Sequence, residues 1–370
     1  MSLSATFRQR SVIRDWFWSV DRISVTAIGL LIFIGLLLSM AASPGASVAS
    51  DPFFYLKRHV VFAGAAMFSL FAVSLFSPQN ARRLAMLALV CSLLLMIYIL
   101  LFGHTAGGGQ RWIRISSFTL QPSEFVKPGL VVTFAWLFAK SKKSNFPGTL
   151  LAIGVYGITA VLLLLQPDFG QTVLITICFA AVFFMSGMSW VWIVSFGVAG
   201  IVGMFSAYSF MPHVASRVDR FLNPEGSDTY QVDMAMAAIQ RGGFFGRGPG
   251  EGRIKNSIPD AHTDFIFSVA AEEYGMLLSV TIIGLYAVII ARSMMRALRL
   301  TDITSQLAAA GLTTLFGLQA FINIGVNLQV IPAKGMTLPF ISYGGSSMLA
   351  TGLTVGLLLA FTRSRPGLIE

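Results

Sequence analysis

Between Asp168 and Arg217 the chain runs for 48 residues without a single Asp, Glu, Lys or Arg. A transmembrane helix requires about 20 mostly apolar residues, so this stretch alone is long enough to cross a bilayer twice. Over the whole chain only 11% of residues are charged, against about 25% in soluble domains. The sequence therefore excludes a water-soluble fold and predicts an integral membrane protein.

Similar apolar runs recur along all 370 residues. They are continuous, as at 30–38 and 93–102, whereas the strands of a membrane β-barrel alternate over short segments. We therefore predict an all-α integral membrane protein with about ten transmembrane helices and one large extracytoplasmic loop. The uncharged stretch is split at Ser186–Ser189, and the predicted spans lie near 23–42, 59–76, 84–102, 122–139, 148–165, 170–185, 190–210, 264–291, 304–325 and 346–361.

The distribution of Lys and Arg predicts the orientation, because basic connections stay in the cytoplasm. With ten spans both termini share one side, where fourteen basic residues meet only four acidic ones. This asymmetry accounts for the net charge of +10 without nucleic acid as a partner. The N-terminus lacks a signal-peptide cleavage pattern. We predict a cytoplasmic segment 1–22, a membrane domain 23–361 that includes the extracytoplasmic loop 211–263, and a cytoplasmic tail 362–370.

A carboxylate and an imidazole lie close together where the eighth predicted span begins. Asp264 follows His262 by two residues, and a carboxylate at this position can act as a general base. Asp is equally a favoured residue at the N-terminus of a helix, so the residues alone leave both roles open. Glu272 and Glu273 lie further along the same span, where carboxylates are expected to be functional or paired.

Further carboxylates lie where other spans begin. Glu124 and Lys127 are three residues apart in the fourth span, so they share a helix face and can pair. A structural ion pair and a catalytic role both remain open for them. Asp168 lies at a break between two spans, where formation of a turn is a sufficient explanation.

Two glycine-rich loops carry cations on the predicted outer side. Arg111 and Trp112 follow one run of glycines; Arg binds phosphate oxygens in bidentate fashion, while an interfacial Trp is common in membrane proteins. Arg247, Arg253 and Lys255 lie in the second loop, which lacks the Walker and dinucleotide-binding patterns. We therefore assign no nucleotide.

The segment 332–347, which includes Ser342, is rich in Gly and Pro and borders the last span. Irregular backbone at membrane depth is tolerated only where protein or a water-filled cavity covers it. All these polar groups fall on the non-cytoplasmic side of the ten-span arrangement. Their coincidence predicts one shared extracytoplasmic cavity.

Taken together, these motifs resemble those of the SEDS family (shape, elongation, division and sporulation), in order from about residue 20 to 365. The resemblance is closer to the division-septum members than to the elongation members. It is carried by Arg111-Trp112-Ile113, Gln121-Pro122-Ser123-Glu124 with Lys127, Gln166-Pro167-Asp168, Gly242-Gly243, His262-Thr263-Asp264-Phe265 with Glu272-Glu273, and Leu338-Pro339-Phe340-Ile341-Ser342-Tyr343-Gly344-Gly345-Ser346-Ser347.

The resemblance implies a bacterial inner-membrane enzyme that polymerises lipid II into β-1,4 glycan strands at the division septum. It implies a cognate class B penicillin-binding protein and other divisome membrane proteins as partners. No cofactor is identified. A requirement for a divalent cation stays open, although no cluster of ligands in the sequence marks a site for one. The implied catalytic residue is Asp264, the implied substrate-binding residues are Arg111, Trp112, Arg247, Arg253, Lys255, His262 and Ser342, and the implied structural or coupling residues are Glu124, Lys127, Asp168, Glu272 and Glu273.

Three other functions are compatible with this resemblance: a polymerase of the elongation type, a flippase that moves lipid II across the bilayer, and a scaffold that only positions the transpeptidase. A flippase needs polar residues distributed across the membrane, whereas a polymerase needs them gathered on one face. The predicted clustering on the outer face favours the enzyme.

Overall fold

The structure, a computed structural model, describes residues 12–42, 53–106, 109–115, 118–187, 190–223, 230–332 and 335–364. The start of the predicted segment 1–22, most of the predicted tail 362–370 and part of the loop 211–263 lie outside these ranges. The described helices are Val12–Ser19 (α1), Arg22–Ala42 (α2), Phe54–Ser74 (α3), Pro78–Phe102 (α4), Pro122–Lys143 (α5), Gly148–Leu165 (α6), Phe169–Met185 (α7), Trp190–Phe210 (α8), Pro212–Leu222 (α9), Tyr230–Gly242 (α10), Ile266–Ala297 (α11), Ile303–Asn327 (α12) and Gly345–Thr362 (α13).

Each of the ten predicted spans coincides with one of these helices, from α2 to α8 and from α11 to α13. By length and composition, eight helices in the described ranges are able to cross a membrane. Of the other two, α7 is apolar but has 17 residues, and α5 carries Glu124 and Lys127 near its start and three lysines in its last turn. The uncharged 48-residue stretch contains two helices, α7 and α8, and Gly187 in the left-handed region ends the first.

The prediction of an all-α membrane protein is confirmed, and the structure adds one small sheet to it. Strands β1 (His104–Ala106), β2 (Gly109–Ile115) and β3 (Phe118–Leu120) form a small antiparallel sheet between α4 and α5. Ile113 pairs with Leu120 and Ile115 with Phe118. The strands are too short for the alternation of apolar and polar residues to stand out in the sequence between glycines and the flanking spans.

Helices α12 and α13 form the centre of the bundle. Most of their apolar residues are buried within the protein, whereas the outer sides of α4, α6 and α8 remain exposed. Small residues allow close packing: a Cβ atom on Gly352 of α13 would lie 2.5 Å from the carbonyl oxygen of Ala66 in α3. Close approach of this kind is how helices associate where lipid supplies no hydrophobic driving force.

Helix α11 is broken at Gly275, which has φ +71°. The backbone groups freed by the break bond to the preceding loop: Met276 N–H donates to Gly243 O at 3.0 Å, and Arg247 N–H donates to Glu272 O at 2.9 Å. A Cβ atom on Gly275 would lie 2.4 Å from Gly246 N. Non-helical backbone is thus covered by protein, as membrane depth requires, and the short half-helix 266–274 is held by the loop 243–255.

At the opposite end of α11 an ion cluster ties this helix to α2. Arg292 donates two hydrogen bonds of 2.7 Å to the carboxylate of Asp21, and Arg296 lies 3.5 Å from it. Ser24 Oγ donates to the same carboxylate. Although burial opposes ionisation, these partners lower the pKa of Asp21 to about 2.

Candidate active site

Asp264 lies in a tight turn that leads into α11. Asp260 initiates this turn in the left-handed region (φ +56°), a conformation that Asp and Asn tolerate better than most residues. Its carbonyl oxygen accepts hydrogen bonds from the backbone N–H groups of Thr263, Asp264 and Phe265. The side chain of Asp264 is half-buried, and the structure gives α11 no side-chain cap at Phe265.

Two amide side chains of α12 hold the backbone of Asp264. Asn323 Nδ2 and Asn327 Nδ2 donate to Asp264 O at 2.9 and 3.0 Å. Asn327 Oδ1 also accepts from Ser268 Oγ at 2.7 Å, and Asn323 Nδ2 donates to Met336 O at 2.6 Å. Buried polar networks fix positions when every member is satisfied, so α12 fixes where the Asp264 carboxylate stands.

The irregular segment 335–344 packs directly on this turn. Ser342 Oγ donates to Thr263 O at 2.5 Å and accepts from Leu338 N–H at 2.7 Å, while Tyr343 N–H donates to His262 O at 3.0 Å. Both of these contacts of the Ser342 hydroxyl are with backbone groups, and its contact with substrate stays a prediction. Gly335 is exposed and lies directly beside the Asp264 carboxylate.

Burial, together with the negative charge of Asp260, raises the pKa of Asp264 to about 7. Burial also lowers the pKa of His262, opposed by Asp260. The His262 ring lies 4.0 Å from the Tyr55 ring and 5.7 Å from the Tyr343 ring, measured between centroids. The site thus combines a carboxylate able to exchange a proton near neutral pH with an aromatic wall suited to an apolar sugar face.

Glu272 and Glu273, which lie in the half-helix 266–274, bind the loop 243–255. Glu272 accepts three backbone hydrogen bonds of 2.8–2.9 Å, from Arg253, Ile254 and Lys255. Glu273 Oε1 accepts from Gly250 N–H and from the Lys255 ammonium. Lys255 is buried and forms an ion pair with Glu273; its predicted binding of substrate stays a prediction.

Glu124, Lys127 and Asp168 lie at the junction of α5 and α7. Lys127 Nζ donates to Glu124 Oε2 at 2.7 Å, and Gln171 Nε2 donates to Glu124 Oε1 at 2.8 Å. Asp168 accepts from Gln171 N–H at 3.3 Å as the N-cap of α7. All four side chains are buried, so this network joins the two helices.

The cations of the glycine-rich loops differ in what they contact. Arg111 donates from Nε to Gln166 O at 2.9 Å and from Nη2 to Pro167 O, so it ties the small sheet to the break before α7. Trp112 beside it is exposed. Arg247 Nε donates to Arg241 O at 2.8 Å, and the side chains of Arg247 and Arg253 are exposed, where an anionic ligand can reach them.

The sequence interpretation missed the two asparagines. Gln319, Asn323 and Asn327 recur every four residues in an apolar helix, which places three amides on one face. Polar residues within a membrane helix face the bundle interior and bond there, so this stripe was a readable signal. Within the described ranges no three His, Cys, Asp or Glu side chains form a group able to hold a metal ion, and no residue is assigned to the divalent cation that the sequence left open.

Comparison with known proteins places this site in a family context. Residues 21–366 match the FtsW/RodA/SpoVE model, described as cell cycle protein. The chain is 48% identical over 362 residues to the probable peptidoglycan glycosyltransferase FtsW of Caulobacter vibrioides, with 97% of this chain and 93% of that protein covered.

Solved structures agree with this match. One is described as structural coordination of polymerization and crosslinking by a peptidoglycan synthase complex; it has a TM-score of 0.78 and 29% identity and covers 93% of this chain and 97% of the other. The crystal structure of the Thermus thermophilus rod shape determining protein RodA has a TM-score of 0.69 and 27% identity, covering 93% and 96%.

Proposed function

Because the chain belongs to the FtsW/RodA/SpoVE family of cell cycle proteins, the SEDS family, we propose that it polymerises lipid II with Asp264 as the general base. The chain is a peptidoglycan glycosyltransferase and a multi-pass membrane protein. One observation carries the assignment to Asp264. Its carboxylate has a pKa of about 7 and lies beside the exposed Gly335, in a turn whose backbone is held by Asn323 and Asn327.

In the proposed reaction the Asp264 carboxylate takes the proton of the 4-hydroxyl of the acceptor N-acetylglucosamine. The oxygen then attacks C1 of the donor sugar from the face opposite its pyrophosphate, forming the β-1,4 bond. The C1–oxygen bond to undecaprenyl pyrophosphate breaks, and the leaving group departs with the electron pair. General-base catalysis of this kind contributes about 10²–10⁴-fold.

The leaving pyrophosphate needs positive charge rather than a strong acid. Arg247 and Arg253 are exposed cations on the loop 243–255. Glu272 and Glu273 bind this loop to the half-helix that follows Asp264. We assign the pyrophosphate to these two arginines and a sugar to the exposed indole of Trp112. Lys255 and Arg111 support the loop and the small sheet instead.

The distribution of charge supports polymerisation over transport. In the described part of the chain, α11 has no Asp, Glu, Lys or Arg between 276 and 291, and α12 has none between 303 and 327. Charged groups therefore lie at the two ends of the bundle rather than along a path through it. A carrier for a diphosphate headgroup would need compensating charge at mid-membrane.

The relatives also support a proposal for the partner and the location. We propose that the protein acts with a cognate class B penicillin-binding protein and other divisome membrane proteins at the division septum, with both termini in the cytoplasm and Asp264 outside. The relative named FtsW at 48% identity and the likeness to a peptidoglycan synthase complex support this assignment.

The decisive experiment replaces Asp264 by Asn. Asn fits the turn and caps a helix about as well as Asp, so the protein should insert at normal level, but it cannot accept the proton. We expect no glycan polymer from purified lipid II, with or without the cognate transpeptidase, and a dominant-negative effect in cells. Polymerisation near the wild-type rate would overturn the assignment.

A further inference from the structure

A cavity lies at the end of the bundle opposite to Asp264. It has a volume of about 760 Å³, and its walls come from the start of α4, the end of α5, the α11–α12 connection and the end of α13. Its side chains include Arg82, Lys140, Lys143, Arg363, Trp136 and Asp302. Four cations thus face one carboxylate.

The charge of this cavity is left largely uncompensated. Asp302 lies 3.8 Å from Lys143 but is also the N-cap of α12, accepting from Ser305 N–H and Ser305 Oγ. Throughout the described residues, no carboxylate lies within ion-pair distance of Arg82, Lys140 or Arg363.

Two of the cations lie near Trp136. The Arg82 guanidinium lies 5.6 Å and the Lys140 ammonium 5.2 Å from the centroid of its rings. An anion bound in the cavity would be attracted by both charges and would lower the electrostatic energy of the cluster. The lining therefore favours a ligand with a compact negative group.

The depth of the cavity identifies the source of that ligand. Helix α12 begins in the cavity wall at Ile303 and ends at Asn327, which contacts Asp264, 25 residues in all. At about 1.5 Å per residue this is about 37 Å, close to the about 40–45 Å thickness of a bilayer with its headgroups. The cavity lies at the level of the headgroups of the leaflet opposite to Asp264.

Basic pockets between membrane helices on the cytoplasmic side are suited to anionic lipid headgroups. We propose that this cavity binds the phosphate headgroup of an anionic phospholipid from the leaflet opposite to Asp264.

The positive-inside rule alone would also place cations on this face. Basic residues that lie on the same face but outside the cavity therefore serve as matched controls. Arg83 and Lys142 are exposed neighbours of Arg82 and Lys140 that do not line the cavity. If the cavity binds the lipid, Arg82→Gln and Lys140→Gln should weaken binding, whereas Arg83→Gln and Lys142→Gln should not.

The test uses the purified full-length protein in nanodiscs of phosphatidylcholine, alone or mixed with phosphatidylglycerol, and counts retained lipid by native mass spectrometry. We expect each cavity substitution to weaken retention of phosphatidylglycerol about fivefold. Lys140 is exposed, so Lys140→Gln should fold normally. It tests the proposal even if Arg82→Gln fails to fold. Equal loss in the control variants, or no loss in the cavity variants, would overturn the proposal.

A competition experiment separates the lipid from free phosphate. Millimolar inorganic phosphate, compared with chloride at equal ionic strength, should leave phosphatidylglycerol on the wild-type protein. Displacement by phosphate alone would mean that the cavity is a site for a soluble anion and would refute the phospholipid.

Discussion

Oδ2 of Asp264 faces the backbone of Gly335 so closely that a Cβ atom on Gly335 would lie 3.0 Å from it. The two residues are 71 positions apart in the chain and meet because Asn323 holds both segments. Gly335 is not in the left-handed region, so another residue is conformationally possible there. The contact therefore tests the position of the carboxylate without changing its chemistry.

Gly335→Ala should lower the rate of glycan polymerisation about threefold to tenfold, because the carboxylate must move by a few tenths of an ångström and a displacement of about 1 Å at a reacting group can cost about 100-fold. The variant should accumulate in the membrane normally. Gly64→Ala is the control, since a Cβ atom there meets nothing within 4 Å. Wild-type activity of Gly335→Ala would show that the reacting carboxylate stands elsewhere.

The rate should rise with pH and reach half its maximum near pH 7, because Asp264 must lose its proton to act as a base and its pKa is about 7. Burial is the larger cause of this pKa and Asp260 the smaller. Asp260→Asn removes a negative charge and should shift the rising limb to lower pH, though not to the ordinary range of aspartate. The measurement is the initial rate of lipid II consumption across pH.

The control for that shift is Glu251→Gln, which removes an exposed carboxylate that does not contribute to the pKa of Asp264. Its pH profile should match that of the wild type. A profile of Asp260→Asn that also coincides with the wild type would contradict the electrostatic coupling of the two aspartates.

Glu124 and Lys127 should behave as structural partners. Replacing Lys127 by Met leaves the Glu124 carboxylate with Gln171 as its remaining partner, and breaking a buried pair can cost about 3–5 kcal/mol. We expect lower membrane levels and a lower melting temperature as well as reduced activity. A Lys127→Met protein that accumulates normally yet makes no polymer would place the lysine in the substrate site.

Gly275→Ala should be among the most damaging substitutions in α11. The left-handed region alone costs about 1–2 kcal/mol for a residue with a side chain, and the new Cβ atom would overlap Gly246 N and Phe244 O at 2.4 Å. We expect a lower melting temperature in detergent. Gly284→Ala in the same helix meets nothing within 4 Å and should melt like the wild type; similar melting of both variants would refute the argument.

The membrane helices could be predicted from the sequence because one property, continuous apolarity over a bilayer's thickness, decides them. The break at Gly275 could not, since its cause is the loop 243–248, whose backbone replaces the missing helical bonds. The same limit applies to the site. Asp264 was recognisable because it lies where a predicted span begins. The ion pair of Lys255 with Glu273 and the hydrogen bond of Ser342 to Thr263 were not, because they join segments that are far apart in the chain.

The break at Gly275 divides α11 into two parts with different tolerance to change. The half before it carries Glu272 and Glu273, is buried, and shares its hydrogen bonds with the loop 243–255. In the half after it, the N–H groups of Met276 and Leu277 bond to the same loop, but the side chains of Met276, Leu277 and Val280 face outward. Substitutions there can adapt the protein to a thicker or thinner bilayer while Asp264 stays in register with its neighbours.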